Sequence, residues 1–157
     1  MRIAMAQVNS TVGDLEGNVE KIRHFIDDAK RHKADLVVFP ELAVTGYPPQ
    51  DLLLEKAFVK RNRGLLDGLV AENAGIAGIV GFVDYNKKNL YNAAAVFDGN
   101  RLVSVVYKTL LPTYDVFDED RYFKSLREEN IRPVPLKISG KRISLGVEIC
   151  EDLWDED

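Results

Sequence analysis

An α/β fold is predicted for this chain of 157 residues, on two observations. Short apolar runs of strand length alternate with longer stretches whose apolar residues recur at three- and four-residue steps. A glutamate, a lysine and a cysteine also fall at or just beyond the carboxyl ends of predicted strands, the edge where open α/β sheets gather their reactive groups.

Each element has its own justification. Ile3 to Val8 reads as a short strand and Ser10 to Gly13 as a turn. Leu15, Val19, Ile22, Ile26 and Ala29 then mark an amphipathic helix to about Lys33, with Asp14 placed to cap its first turn. Asp35 to Phe39 is apolar, short and valine-containing, and Pro40 ends it, as suits a buried parallel strand. Residues 42 to 52 form a loop stiffened by Pro48 and Pro49. A second helix is predicted from Leu53 to Asn73, with Phe58, Leu65, Leu66 and Leu69 on one side, followed by a strand from Ile76 to Val83. The turn signals Asn86-Lys87-Lys88-Asn89 and Asp98-Gly99-Asn100 make Tyr91–Phe97 and Leu102–Tyr107 antiparallel neighbours. Thr109 to Arg132 has little regular period. Val134–Ile138, a turn at Ser139-Gly140-Lys141 and a buried strand from Ile143 to Ile149 lead to Cys150.

Composition narrows the function classes. With 46% hydrophobic and 29% charged residues, the chain suits one soluble globular domain. A net charge of −4 and a pI near 5.3 supply no basic surface for nucleic acid or for anionic lipid. The N-terminus has neither a membrane-length apolar stretch nor a signal-peptide cleavage pattern, so a cytoplasmic protein is expected. Cys150 is the single cysteine and has no intramolecular disulfide partner; in that compartment it stays reduced.

Glu41, Lys108 and Cys150 are the residue types that nucleophilic acyl transfer requires. A thiol attacks, a carboxylate takes its proton, and a fixed positive charge faces the oxyanion. Lys108 beside Cys150 is expected to lower the thiol pKa, and Glu41, if desolvated, to have its own raised. Losing one oxyanion contact of the Lys108 kind typically costs about 3 kcal/mol of transition-state stabilisation. Each residue also has a plainer reading. A lone cysteine in an apolar run packs as a small hydrophobe, glutamates and lysines at strand ends are commonly solvated, and Glu119 lies in an acidic stretch, Asp115–Asp120, that suits a solvated loop. Tyr114 and Trp154 fit ordinary packing aromatics equally well.

The residues around these positions decide the choice. Ala6-Gln7-Val8-Asn9 with Val12-Gly13-Asp14 and Asn18, Phe39-Pro40-Glu41-Leu42, Tyr107-Lys108 through Leu111-Pro112, and Ile149-Cys150-Glu151-Asp152 resemble the nitrilase or carbon–nitrogen hydrolase superfamily. Thr45-Gly46-Tyr47-Pro48-Pro49 with Asp51-Leu52-Leu53, Phe117-Asp118-Glu119 before Arg121-Tyr122-Phe123, and Cys150 through Trp154 resemble its glutamine-hydrolysing branch in glutamine-dependent NAD synthetases. The resemblance implies a four-layer α-β-β-α sandwich, with residues 1–157 as the N-terminal part of a glutaminase domain. It implies a Glu41–Lys108–Cys150 triad that hydrolyses glutamine to glutamate and ammonia through a thioester. The Glu151 backbone N–H would complete the oxyanion site, Glu119 would hold substrate and order Lys108, and Tyr114 and Trp154 would line the glutamine pocket.

The same resemblance implies that the rest of this domain and an ATP-dependent synthetase domain, with its Mg²⁺, lie outside the 157 residues. No Ser-Gly-Gly-x-Asp-Ser phosphate loop occurs in the chain, so no cofactor is expected on it. The acidic residues Glu148, Glu151, Asp152 and Asp155–Asp157 lack histidine or thiol partners and predict no metal site. His24 and His32 are expected to face solvent. Self-association is expected through exposed apolar surface. A free-standing amidase with another amide substrate and an inactive assembly module stand as the alternatives.

Overall fold

Asp14 caps the first helix as its position requires: its carboxylate accepts the Gly17 N–H at 3.0 Å and opens helix α1, Leu15–Arg31. Leu15, Val19, Ile22, Ile26 and Ala29 are all buried, and His24 and His32 are exposed. The structure is a computed structural model and describes residues 1–73, 75–126, 132–138 and 140–154. Ser139 of the predicted turn, residues 127–131 of the irregular segment and acidic residues Asp155–Asp157 lie outside the described residues.

Strands β1 (Ile3–Met5), β2 (Leu36–Val38), β3 (Ala77–Tyr85), β4 (Leu90–Asp98) and β5 (Arg101–Tyr107) form one sheet in that order. β1, β2 and β3 are parallel; β3, β4 and β5 run antiparallel through the two predicted hairpins. β1 is shorter than the apolar run from Ile3 to Val8, because its neighbour β2 pairs with it over only three residues. Helix α2 is Lys56–Glu72, not Leu53–Asn73. Leu53 and Leu54 belong to a 3₁₀ turn, Gln50–Leu54, and Glu55 is extended between the two.

The strand period of two sorts side chains between two faces. Val37, Val80, Phe82, Ala93 and Ala95 pack with α1 and α2. Leu36, Ile79, Ala94, Val96 and Val106 face the other way, against a second sheet made of β6 (Val134–Ile138) and β7 (Lys141–Leu145). Helices, a five-stranded sheet and a two-stranded sheet therefore stack as α, β and β layers, in keeping with the nitrilase-type expectation.

The buried strand expected from Ile143 to Ile149 is corrected. Pairing stops at Leu145 because β6 begins at Val134, immediately after Pro133. Beyond it Ile149 is buried but Gly146 and Glu148 are exposed, so the segment carrying Cys150 is half-covered coil. No helix among the described residues is long and apolar enough to cross a membrane.

Candidate active site

Glu41 leaves the end of β2 after Phe39, whose N–H bonds the Ile79 carbonyl, and Pro40, which ends the ladder. The chain then turns sharply at Leu42, which is fully buried with φ +47°. Residues 42–46 are buried although they form a loop, and their polar backbone is satisfied from several sides. Val44 N–H bonds the Gly81 carbonyl, and the fully buried Asn18 donates to the carbonyls of Thr11 and Val44. This gives the Val12-Gly13-Asp14 and Asn18 motif a physical role: it fixes the loop that follows Glu41.

Gly81 lies under that turn. A Cβ there would run into the Pro40 carbonyl oxygen and the Leu42 nitrogen, both backbone atoms. Gly81→Ala is expected to cost about 1–3 kcal/mol of stability through overpacking and to displace Glu41. A thermal melt beside a turnover assay checks both; an alanine variant equal to the parent in each would count against the close approach.

Lys108 closes β5, and its N–H bonds the Asn92 carbonyl of β4 at 2.8 Å. Its side chain is 0% exposed, and its ammonium donates to Glu41 Oε1 at 2.7 Å and to Glu119 Oε1 at 2.9 Å. Glu119 sits on the 3₁₀ turn Glu119–Arg121, whose exit is fastened to β4 by Lys124 N–H on the Leu90 carbonyl. It is buried, not a solvated loop residue, and it also accepts the Tyr47 hydroxyl at 2.8 Å. Asn92, 1% exposed, donates its amide to Glu41 Oε1 at 2.6 Å and lies 3.4 Å from Glu119 Oε2. Two carboxylates thus share one buried ammonium, with Asn92 and Tyr47 as further donors.

These contacts set the protonation states. Burial by itself would push Lys108 down, but the hydrogen bonds and charges of Glu119 and Glu41 outweigh it, and its pKa is raised. Burial holds the Glu119 carboxyl above its usual range, partly offset by Lys108. Tyr47 is raised by burial and by its bond to Glu119.

Cys150 opens the 3₁₀ turn Cys150–Trp154 with φ +51°. A residue carrying a Cβ adopts that left-handed backbone at a cost of about 1–3 kcal/mol, and such outliers cluster at functional sites. The thiol is exposed on a cleft of about 310 Å³ lined by Glu41, Gly81, Leu36, Ile79 and Ala94. That size is at the small end of ligand pockets, which span about 300–1,000 Å³. The expected lowering of the thiol pKa is corrected. Burial and the Glu41 carboxylate, by charge and by hydrogen bond, raise it, and Lys108 only partly opposes them. The thiol is thus held above the ordinary cysteine range by its burial and by Glu41 beside it.

The structure therefore brings Glu41, Lys108, Glu119 and Cys150 together. Tyr114 and Glu151 meet farther out, the hydroxyl donating to the Glu151 carboxylate at 3.0 Å on an exposed surface. Trp154 stands 75% exposed, without a hydrogen bond or ring contact among the described residues, so packing does not hold it in a pocket. Three further residues take part that sequence reasoning gives no role: Asn92 and, beyond their places in motifs, Tyr47 and Asp152, whose carboxylate accepts the Thr109 N–H at 2.9 Å. Their one sequence signal is polarity within or beside apolar runs.

Comparison with known proteins follows the same lines. The sequence pattern of the carbon–nitrogen hydrolase family matches residues 2–155. The glutamine-dependent NAD(+) synthetase of Thermotoga maritima is 41% identical over 157 residues, covering 99% of this chain and 26% of the relative. That of Aquifex aeolicus is 39% identical over 159 residues, covering 100% and 27%. The chain thus spans about a quarter of the length of these curated relatives. Among solved structures, the glutamine-dependent NAD+ synthetase of Acinetobacter baumannii matches with a TM-score of 0.84 at 35% identity, over 97% of this chain and 28% of that one. An amidase from Nesterenkonia sp. AN1 matches with a TM-score of 0.73 at 24% identity, over 92% and 55%, a likeness of fold.

Proposed function

The chain belongs to the carbon–nitrogen hydrolase family, and on that premise we propose that it is the N-terminal part of the glutaminase domain of a glutamine-dependent NAD synthetase. The observation that carries this reading is the buried Lys108 held between Glu41 and Glu119, with the Cys150 thiol beside Glu41. The identity to synthetases along almost the whole chain supports it over a free-standing amidase, for which the likeness is one of fold.

In this mechanism Glu41 takes the proton of Cys150 as the sulfur attacks the carboxamide carbon of glutamine. Lys108 Nζ and Asn92 Nδ2 both hold Oε1 of Glu41, so the proton passes to Oε2. The tetrahedral oxyanion forms against the Lys108 ammonium and the Glu151 backbone N–H. Its collapse breaks the C–N bond; Glu41 returns the proton to the leaving nitrogen, ammonia departs and a thioester remains. Water deprotonated by Glu41 then attacks the thioester, expels the sulfur and yields glutamate, and the proton returns to Cys150. Glu119 orders Lys108 and the substrate amide.

In the whole enzyme, the synthetase domain uses ATP and Mg²⁺ to amidate nicotinic acid adenine dinucleotide with this ammonia. None of the present residues is assigned to those groups; the described residues contain no cluster of three or more His, Cys, Asp or Glu that could hold a metal ion. A cytoplasmic, self-associating protein fits the same reading.

The test is mass spectrometry after exposure to a diazoketone analogue of glutamine, with Cys150→Ala as control. Covalent label confined to Cys150 is the expected result. A chain with ordered secondary structure by circular dichroism that takes up no label would overturn the reading for this length of chain.

A further inference from the structure

Lys108 follows directly on β5 of the central sheet, whereas Cys150 follows the separate two-stranded sheet, and between β7 and Cys150 the chain is coil. Sheet hydrogen bonding alone does not set the distance between the ammonium and the thiol. Asp152 spans the gap. Its Oδ1 accepts three donors from the residues after Lys108: Thr109 N–H at 2.9 Å, Thr109 Oγ1–H at 2.8 Å and Leu110 N–H at 2.8 Å. Its Oδ2 accepts Ile149 N–H at 3.2 Å, and its own N–H bonds the Ile149 carbonyl at 3.2 Å. Ser125 Oγ donates to the Thr109 carbonyl at 2.6 Å and steadies the far side of the same peptide.

We infer that Asp152 is a positioning residue whose carboxylate sets the separation of Lys108 from Cys150 by bonding the residue after the first and the residue before the second. Three donors converging on one oxygen call for a full negative charge, since charge-assisted bonds are about twice as strong as neutral ones. The left-handed backbone at Cys150 needs surroundings that over-determine it, and the two Asp152–Ile149 bonds close that turn from both ends. For its substrate alone, the inference rests on the glutaminase reading.

The experiment compares Asp152→Asn and Thr109→Val with the parent chain. Two readouts are used: the pH profile of Cys150 alkylation by iodoacetamide, and kcat and KM for glutamine. Glu41, Lys108, Glu119, Tyr47 and Tyr114 interact electrostatically with Cys150, so any shift in its position moves the profile. Asp152→Asn is expected to lower kcat by about a hundredfold, the cost of a misplacement near 1 Å, with KM little changed. The alkylation midpoint should fall toward that of a free cysteine as the hold of Glu41 loosens. Loss of the Asp152 charge would also lower the midpoint, so Thr109→Val is the deciding variant: it keeps the charge and removes one bond of the clamp. A several-fold fall in kcat together with a shifted profile in Thr109→Val supports the inference. An unmoved profile, or a kcat that falls only in proportion to the folded fraction by circular dichroism, overturns it. If Asp152→Asn does not fold, Thr109→Val decides the matter by the same two readouts. If the parent does not hydrolyse glutamine while its alkylation profile still responds to Thr109→Val, the glutaminase reading fails and the positioning role stands.

Discussion

Lys108→Met is expected to destabilise the chain by about 3–5 kcal/mol at neutral pH, the usual cost of removing one partner from a buried ion pair, and to abolish turnover. Glu119 and Glu41 would then face each other without the ammonium, their side chains only 5% and 15% exposed. The sign of the pH dependence follows. Glu119 already has a raised pKa, and removing Lys108 takes away what holds it down. An acid whose folded pKa lies above its unfolded value stabilises the folded state as pH falls through the folded pKa. The deficit of Lys108→Met should therefore be largest near neutral pH and shrink on acidification. In the parent, the raised Lys108 pKa contributes stability that is complete below the unfolded lysine value and is lost as pH rises through the folded one. Adding Glu119→Gln to Lys108→Met should recover much of the stability and none of the turnover. Denaturant titrations over a pH series measure this, and a Lys108→Met variant as stable as the parent at neutral pH would refute the coupling.

Glu41→Gln separates thiol reactivity from turnover. Turnover should fall by about 10²–10⁴, the usual contribution of a general base. Alkylation of Cys150 should move the other way. The Glu41 carboxylate raises the thiol pKa by its charge and by accepting a hydrogen bond from it, and glutamine removes the charge and offers an N–H to the thiolate. The alkylation midpoint should shift to lower pH, and the rate at neutral pH should rise while hydrolysis collapses. Parallel loss of both would mean that Glu41 activates the thiol in the resting state, against the raised thiol pKa described above.

Both predictions depend on contacts that differ in how far the sequence reveals them. The Asp14 cap, the buried stripe of α1 and the two hairpins are legible because each arises within a few residues, where the helical and strand periods act directly. The residue types of the proposed triad are legible as well, since attack, proton transfer and oxyanion neutralisation each demand a particular side chain. The length of the strand before Cys150 is not, because it depends on where its partner β6 begins.

Burial of a charge is equally out of reach. An acidic run reads as solvated, yet Glu119 is enclosed because Lys108 and Tyr47, 11 and 72 residues away, come to meet it. Asn92 looks like a polar interruption in a strand until Glu41, 51 residues away, is placed against its amide. Whether the Cys150 thiol is raised or lowered is a balance of burial, Glu41 and Lys108, which are assembled from different parts of the fold. The local elements and the chemical cast follow from residue order alone. Which charges share a low-dielectric site, and so which protons are held, follows only from the folded arrangement, because desolvation and through-space pairing depend on distance in the fold and not on spacing along the chain.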